Sequence, residues 1–474
     1  MSLPYLPTLR RGQVYESLER AELKSVKSGE VVAHVGQVNA GVIRRDLRKP
    51  SRTCLRDIPI ARLLEICAEA GKHFVESALP LGDGQVQTPE DYIAQLAATS
   101  GLPHVMIRRN MAKINQVFTQ MPTILKGLTR GMPLEVLDKG YGEQNGVPVS
   151  YYATTEALGV VLPSNSPGVN SLWIPCIALK IPIVLKPGRE EPWTPFRIIQ
   201  AFIAAGAPPE AFSFYPTDHE GSAAVMEHCK RAIIFGDQAT VERYAGNPGV
   251  SVHGPGWSKV LIGDDCIERW PEFIDVIASS IADNGGRSCI NASAVVVPKY
   301  GAEIADALAK KLAVIEPRPA SDPAAVLSGF ANPKMAEFMD GAVTDGLKTS
   351  GAEDITAKHR TGERLVEMDG STYLRPTVIH CNSFQHPLSN KEYLFPYASV
   401  VEVPQSEMLA QIGPSLVVMA ITQDEAFIDQ LFDCPLIDRL NLGPISTMHT
   451  SWDQPHEGNL FEFLYKRRSL QRAV

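Results

Sequence analysis

The 474-residue chain has no long uninterrupted apolar run, no excess of basic residues and no paired arrangement of its cysteines. Its most apolar stretch, SLWIPCIALKIPIVLKP, contains Pro175, Lys180 and Pro182, so this pattern predicts no membrane span. The formal net charge of −8 argues against nucleic acid or an anionic membrane as the main partner. The first residues show no basic stretch followed by an apolar one, and we therefore expect a cytoplasmic protein.

The eight cysteines are scattered, without a CxxC pair or the Cys/His spacing of a metal site. This distribution predicts neither a disulfide framework nor a bound metal. Most of them lie in apolar company, and Cys67 and Cys176 are predicted to be core residues. Cys289 differs, because in DNGGRSCINASAVVV it follows two glycines on a loop and precedes a strand-like run. Packing alone does not account for a cysteine there.

What is present is the composition of an ordinary globular protein, with 44% hydrophobic and 21% charged residues. The length predicts more than one domain. Helical spacing extends over 58–79, and Thr88-Pro89-Glu90-Asp91 is a typical helix start. A further helix is predicted over 103–128, and PLEVLDKGYGEQNGVPVSYYAT predicts two strands around a Gln-Asn-Gly turn. Residues 1–50 are only weakly periodic.

From about residue 157, strand-like and helical segments alternate. The strand-like segments are ALGVVLP, IPIVLKP, AFSFYP, RAIIFG and SKVLIG, and after Cys289 they are SAVVV, TVIHC, ASVVEV and SLVVMAI. Helices are expected near 302–313 and 333–343. This rhythm indicates parallel βαβ units, in which ligands bind near the carboxyl ends of the strands.

Four segments stand out in one order along the chain: LPSNSPGVNSLWIP (162–175), VLKPGREEPWTP (184–195), NGGRSC (284–289) and NKEYLFP (390–396). Together they resemble the aldehyde dehydrogenase superfamily, over roughly residues 150–400.

The resemblance implies an α/β protein with the aldehyde dehydrogenase fold. Residues 1–253 would form N-terminal helices and a Rossmann-like NAD(P)-binding domain, with an oligomerisation hairpin near 132–156. Residues 254–430 would form the α/β catalytic domain that carries Cys289, and 431–474 a C-terminal return that takes part in oligomerisation. A homodimer or homotetramer is expected.

The resemblance also assigns roles to single residues. Cys289 matches the nucleophile, and Asn165 matches the asparagine whose amide, with the Cys289 backbone N–H, holds the developing oxyanion. Trp173 matches a tryptophan that lines the substrate tunnel. The chemistry is consistent, because a thiolate that attacks a carbonyl produces an oxyanion that fixed amide donors stabilise. Arg287 is either a cation that helps to ionise the thiol or a solvated surface charge.

For the cofactor, the resemblance assigns Lys186 to a ribose contact and Glu392 to the nicotinamide ribose. The phosphate loop departs from the family pattern: FGDQATVERY has Glu242 in place of its second glycine. This version resembles the fatty acyl-CoA reductases of the bioluminescence pathway, and it weakens Gln238 as a cofactor contact. Arg189 stands where NAD-using members have a glutamate, so NADP(H) is favoured over NAD(H), unless Arg189 pairs with a neighbouring glutamate.

His253 occupies the place of the glutamate that activates water in the hydrolytic members. Loss of that carboxylate resembles the acylating branch, in which coenzyme A takes the acyl group instead of water. The alternative is a structural histidine beside a glycine turn. The sequence therefore predicts an NAD(P)H-dependent interconversion of an acyl-CoA and its aldehyde through a Cys289 thioester. A hydrolytic NAD(P)-dependent aldehyde dehydrogenase is the alternative, and a non-catalytic member of the superfamily is a third interpretation.

Overall fold

The computed structural model describes residues 2–49 and 52–471. The chain divides into two compact units. The first comprises the residues up to Ser100, Ile107–Gly254 and those from Ser451 onward; the second comprises Gly101–Met106 and Pro255–Thr450. Residues 431–450 of the predicted C-terminal segment thus belong to the second unit.

The strands before residue 254 form the sheets of the first unit. They are β1 (Tyr5–Leu6), β2 (Thr8–Arg10), β3 (Gln13–Tyr15), β4 (Arg20–Lys24), β5 (Val31–Gly36), β6 (Leu79–Pro80), β7 (Val86–Gln87), β8 (Tyr141–Gln144), β9 (Val147–Ala153), β10 (Leu158–Val161), β11 (Ile183–Lys186), β12 (Phe212–Phe214), β13 (Arg231–Phe235) and β14 (Val250–His253). The main sheet described has the order β14-β13-β10-β11-β12-β2-β3. Strands β10 to β14 pair in parallel, whereas β2 is antiparallel to β12.

The helices before residue 254 cover this sheet or precede it. They are α1 (Ala40–Leu47), α2 (Thr53–Arg56), α3 (Ile60–Glu76), α4 (Pro89–Ser100), α5 (His104–Thr119), α6 (Met121–Leu128), α7 (Val136–Lys139), α8 (Pro175–Ala178), α9 (Trp193–Ala204), α10 (His219–His228) and α11 (Gln238–Tyr244). Helix α3 buries its apolar stripe because Leu63, Ile66, Ala70 and Phe74 recur at helical spacing.

The second unit is built on another mostly parallel sheet. Its elements are α12 (Ile274–Ala282), α13 (Gly301–Leu312), α14 (Pro333–Gly346), α15 (Gln405–Gln411), α16 (Glu425–Asp433), β15 (Ser258–Ile262), β16 (Ala292–Val297), β17 (Ala352–Asp354), β18 (Leu365–Met368), β19 (Ser371–Leu374), β20 (Thr377–Cys381), β21 (Tyr397–Glu402), β22 (Ser415–Ile421) and β23 (Ile437–Leu442). The strand order within the described residues is β17-β20-β21-β16-β15-β22-β23, with only β17 antiparallel. Strands β15, β16 and β22 are buried on both faces, which explains their continuous apolar runs.

The chain ends in the first unit with α17 (Leu460–Leu464) and β24 (Tyr465–Arg468). Strand β24 pairs antiparallel with β9, and β9 pairs with β8 across the Asn145-Gly146 turn. Both turn residues have positive φ, as a tight two-residue hairpin requires. The predicted hairpin is therefore present.

Two local predictions were wrong. The segment from Pro133 to Lys139 is not a strand, because it ends in the short helix α7. The helix predicted over 103–128 is interrupted near Gln120, because Pro122 lacks the N–H that a continuous helix needs. The weakly periodic N-terminal segment, for which no elements were predicted, contains strands β1 to β5; β1 pairs with β5 and β2 with β12, far along the chain. No helix in the described part of the chain is long and apolar enough to cross a membrane.

Candidate active site

The loop that carries Cys289 lies in the second unit, between a 3₁₀ turn at Asp283–Gly286 and strand β16. Asn284, Gly285 and Gly286 all have positive φ, and this left-handed turn brings the chain back to the sheet. The Cys289 side chain is half-buried, and its carbonyl accepts a hydrogen bond of 2.8 Å from Ser258 Oγ. Cys289 is thus placed at the amino end of β16 with part of its thiol-bearing side chain accessible.

Asn291 holds this loop in shape. Its Nδ2 donates to the backbone carbonyls of Ser280 (3.1 Å), Ile281 (3.3 Å) and Asp283 (2.9 Å), and its Oδ1 accepts from the Ser288 N–H at 2.9 Å. One buried amide therefore joins the end of α12 to the residue before Cys289. The sequence analysis missed Asn291; its place two residues after the nucleophile was the only available signal.

Two glycines allow the motifs of the second unit to meet. A Cβ on Gly286 would lie 2.3 Å from the Pro396 nitrogen, so the glycine lets NGGRSC contact the backbone of NKEYLFP. A Cβ on Gly256 would lie 2.0 Å from the Cys289 carbonyl oxygen. The structure thus brings Cys289 close to the loop that precedes β15.

Glu392 belongs to the same cluster. Its Oε2 accepts hydrogen bonds from the backbone N–H groups of Gly256 (2.9 Å) and Trp257 (2.7 Å). The carboxylate predicted to hold the nicotinamide ribose therefore contacts the loop beside Cys289. A role toward the cofactor remains a prediction.

Two basic residues that were not singled out from the sequence lie in this cluster, the buried Lys259 and the half-buried Arg439. Lys259 is fully buried, and its Nζ donates to the Trp257 carbonyl at 2.6 Å and to Ser415 Oγ at 3.0 Å. Burial lowers the pKa of Lys259 to about 7, against the opposing effect of Glu392. Burial also lowers the pKa of Arg439 to about 10, and the nearby Cys289 acts in the opposite direction. Arg439 is therefore a cation in the neighbourhood of Cys289.

Arg287, the cation considered at the sequence level, has different surroundings. Its side chain is buried, with one guanidinium nitrogen 3.4 Å from the Gly329 carbonyl and the guanidinium carbon 5.7 Å from the Phe330 ring centroid. The interpretation as a solvated surface charge was wrong.

Several of the other cysteines are harder to ionise because they are buried. Burial raises the pKa of Cys54 to about 11 and those of Cys67, Cys229 and Cys381 to about 12. The prediction that Cys67 and Cys176 are core residues is confirmed by their complete burial.

In the first unit, Asn165 and Lys186 lie after adjacent parallel strands. Asn165 follows β10, and Lys186 is the last residue of β11. The two loops are joined, because the Leu162 N–H donates to the Lys186 carbonyl at 2.9 Å and the Glu190 N–H donates to Ser164 Oγ at 3.2 Å. Burial lowers the pKa of Lys186, and Glu190 opposes this effect.

Trp173 is fully buried, and its Nε1–H donates to Asn170 Oδ1 at 2.9 Å. Within the first unit its indole packs in the core. Its predicted role in lining a substrate tunnel remains a prediction.

Arg189 is exposed on the loop after β11. Among the described residues, the ion pairs include none to Arg189. Glu191 is buried instead and accepts from the Thr194 N–H at 3.0 Å at the start of α9. Burial raises the pKa of Glu191 to about 8. An exposed guanidinium beside the carboxyl end of β11 fits a phosphate group of a nucleotide.

The start of α11 fits a phosphate less well. Asp237 caps this helix by accepting from the Thr240 N–H at 3.0 Å, and hydrogen bonds to the carboxylate lower the pKa of Asp237. Gln238 is exposed and donates to Glu242 Oε1 at 3.1 Å. The donors after β10 and β11 therefore fit a nicotinamide dinucleotide, whereas the start of α11 does not form a cradle for its phosphates.

His253 ends β14 and is buried. Its Nδ1 lies 2.5 Å from Glu457 Oε2, and its Nε2 lies 3.1 Å from Ser251 Oγ. The Phe235 ring stacks on the imidazole with centroids 4.9 Å apart. Glu457 was not singled out from the sequence, because 204 positions separate it from His253.

The chain resembles known proteins in sequence and in fold. A 245-residue segment is 26% identical to 5-carboxymethyl-2-hydroxymuconate semialdehyde dehydrogenase of Escherichia coli; it covers 48% of this chain and 51% of that protein, so the match spans about half of the relative's length. The NAD⁺ complex of a Bacillus cereus aldehyde dehydrogenase superposes with a TM-score of 0.76 at 17% identity, covering 98% of this chain and 96% of the other.

An aldehyde dehydrogenase of Physcomitrella patens, in complex with its reaction product succinate, has a TM-score of 0.74 at 16% identity and covers 99% of this chain and 98% of its own. At these identities the two structures establish the fold alone, and that fold is the one the sequence predicts. The sequence model of the aldehyde dehydrogenase family matches residues 87–412, well over half of the chain. The protein therefore belongs to the aldehyde dehydrogenase family.

Proposed function

We propose that this protein oxidises an aldehyde to its carboxylic acid with NAD(P)⁺ through a thioester on Cys289. The observation that carries the acid-forming direction is the contact between His253 and Glu457, 2.5 Å between Nδ1 and Oε2. Coenzyme A was favoured from the sequence because a carboxylate is missing at position 253. The chain supplies a carboxylate beside this position from elsewhere, and an imidazole–carboxylate pair is a competent base for water.

The related proteins support the same direction. The relative in Escherichia coli is by name a semialdehyde dehydrogenase, and the Physcomitrella patens enzyme was crystallised with a carboxylate as its reaction product. A semialdehyde, which bears a carboxylate of its own, is therefore a reasonable first substrate class to test.

The first half of the reaction depends on Cys289. Its thiolate, favoured by the nearby Arg439, adds to the aldehyde carbon, and the carbonyl oxygen becomes an oxyanion that the Asn165 amide stabilises. The bound nicotinamide supplies a hydride acceptor. Lys186, the last residue of β11, and Glu392, beside Gly256, are the residues that we expect to hold its ribose groups.

The second half depends on His253. Its Nε2 takes a proton from water while the water oxygen bonds to the acyl carbon. The C–S bond then breaks, which releases the acid and returns the Cys289 thiolate. The Glu457 carboxylate stabilises the imidazolium that forms.

Coenzyme A as the acyl acceptor is the second candidate. It is favoured by the imidazole at position 253, since this group can accept and return the proton of a thiol near neutral pH. NADP(H) is favoured over NAD(H) by the exposed Arg189, for which no carboxylate partner is found among the described residues.

A third proposal concerns assembly. In the sheet β24-β9-β8, Tyr141 on the outer strand β8 and Val147 on the central strand β9 are exposed. We propose this sheet as the contact surface of a homodimer or homotetramer, to be tested by light scattering of Val147→Lys.

The product decides between the two enzymatic functions. Aldehydes, including semialdehydes, are incubated with NAD⁺ or NADP⁺ in ¹⁸O-labelled water, with and without coenzyme A. We expect the acid to carry one ¹⁸O from water without any need for coenzyme A. His253→Ala should retain the first turnover of reduced cofactor but slow later turnovers by about 10²–10⁴-fold. Formation of acyl-CoA when coenzyme A is present, together with no acid when coenzyme A is absent, would favour the second candidate.

A further inference from the structure

The imidazole of His253 is held on three sides by residues of the first unit. Its Nδ1 contacts Glu457, its Nε2 contacts Ser251 Oγ, and Phe235 stacks against its ring. The imidazole is 6% exposed and Glu457 is 20% exposed as a side chain. A histidine in this setting has one defined ring orientation.

The position of Glu457 also determines which nitrogen carries the proton. A carboxylate accepts hydrogen bonds and donates none, so Nδ1 must be the protonated nitrogen. Nε2 then has the lone pair, which points toward Ser251 Oγ at 3.1 Å. This is the tautomer that a base acting through Nε2 requires.

Glu457 lies on a loop that is anchored close to it. Asn459, two residues later, accepts from the Phe461 and Glu462 N–H groups at the start of α17 and donates from Nδ2 to the Leu128 carbonyl at 2.9 Å. Before it, a Cβ on Gly127 would lie 2.1 Å from the Asp453 carbonyl, so this loop packs tightly against the end of α6. The carboxylate is therefore presented from a supported backbone.

We propose that Glu457 is a positioning residue that keeps the Nε2 of His253 unprotonated, the state in which it can act as the base that releases the acyl group from Cys289. This inference rests on the proposed function, in which His253 activates water. Glu457 acts only through His253 and touches neither the acyl group nor the water. Its loss should slow thioester hydrolysis and leave thioester formation intact.

An activated ester tests this step without any cofactor or aldehyde. With p-nitrophenyl acetate, the Cys289 thiolate bonds to the acetyl carbon and p-nitrophenolate leaves, which forms the acetyl thioester. Water then adds, its proton passes to His253, and acetate leaves as the C–S bond breaks. The initial burst of p-nitrophenolate measures acylation, and the steady rate that follows measures hydrolysis of the thioester.

The variants are Glu457→Gln, His253→Ala and the double substitution. Glu462→Gln is the matched control, because Glu462 lies on the same segment and pairs at the surface with Arg130 at 2.6 Å. We expect Glu457→Gln to keep the full burst and to lower the steady rate by about 10- to 100-fold. The control should change neither, and the double variant should be no slower than His253→Ala, because the two residues act as one unit.

Three results would overturn the inference. A burst reduced as strongly as the steady rate in Glu457→Gln would make Glu457 merely structural. If the steady rate of the double variant were lower than that of His253→Ala by the full factor that Glu457→Gln causes alone, the two residues would act independently. A burst that persists in Cys289→Ala and disappears in Ser251→Ala would identify Ser251 as the acylated residue.

Failure of the proposed function gives a different pattern. If the ester kinetics follow the expectation but no aldehyde is oxidised to acid, the dehydrogenase proposal is wrong and the role of Glu457 toward His253 stands. A wild-type protein without any burst would remove the covalent mechanism, and this inference with it.

Discussion

The Cys289 loop and the end of β14 present two reactive side chains in different ways. Cys289 is held through backbone: a left-handed turn at Asn284–Gly286, the Asn291 amide and the bond from Ser258 to the Cys289 carbonyl. His253 is held through its own side chain by Glu457, 204 positions along the chain.

This difference decides what each site depends on. The hydrogen bonds described for the Cys289 loop are made by its backbone, Asn291 and Ser258, so replacement of the Cys289 thiol should remove chemistry and leave the fold intact. The orientation of the His253 ring depends on Glu457 from the C-terminal segment, together with Ser251 and Phe235. The proposed nucleophile is thus prepared mostly locally, whereas the proposed base depends on tertiary structure.

The sharpest test of a purely chemical role is Cys289→Ser. We expect turnover to fall by about 10⁴-fold or more, because a neutral hydroxyl is a much weaker nucleophile than a thiolate. The melting temperature should be unchanged. Iodoacetamide should label Cys289 before the half-buried Cys434, and Cys434→Ser gives the background. Substantial turnover in Cys289→Ser would exclude the covalent mechanism.

Asn165→Ala tests the oxyanion donor of the first unit. Loss of one amide donor should lower kcat by about 10²–10³-fold with little change in stability. Steady-state kinetics and thermal unfolding measure the two effects. A change confined to KM would show that Asn165 orients the substrate instead.

Asn291→Ala breaks the local support of the Cys289 loop. The carbonyls of Ser280, Ile281 and Asp283 lose their donor, which should cost about 1–3 kcal/mol in the free energy of unfolding. Urea unfolding measures this loss, and the rate of Cys289 alkylation should change with it. An unchanged rate would mean that other contacts maintain the loop.

Arg189→Glu tests an exposed residue without a tertiary support of its own. We expect the ratio of kcat/KM for NADP⁺ over NAD⁺ to fall by about 10-fold or more, because a carboxylate repels a 2′-phosphate. Glu190→Gln, on the neighbouring residue, should leave the ratio nearly the same. An unchanged ratio in Arg189→Glu would show that the 2′ substituent of the cofactor ribose does not lie near Arg189.

The smallest expected effect concerns Glu191, a buried carboxyl whose pKa is raised from 4.5 to about 8 by burial. Between these pH values the folded protein holds a proton that the unfolded chain has lost, so stability falls as pH rises toward and through 8. Glu191→Gln should raise the melting temperature by about 2–6 °C at pH 9 and little at pH 5. Thermal unfolding between pH 5 and pH 9 measures this change in melting temperature, with Glu190→Gln as the control. An equal rise in melting temperature at all pH values would show that the titration of Glu191 is not its cause.

Much of the fold was predictable because its signals are local. The apolar runs of β10, β11, β13, β15 and β16 and the capped start of α4, where the Asp91 N–H donates to Thr88 Oγ1 at 3.1 Å, depend on neighbours in the sequence. The N-terminal strands were not predicted, because a strand as short as β1 forms only through its pairing with β5, which lies far along the chain.

The sequence by itself determined the family, the α/β alternation and the identity of the residues in the Cys289 motif, because each of these is written in contiguous residues. Only the tertiary structure decided that His253 has Glu457 as its partner, that Arg439 lies near Cys289, and that Arg287 and Lys259 are buried. Hydrogen bonds, burial and electrostatic effects depend on distance in space, and chain folding joins residues that no spacing in the sequence relates.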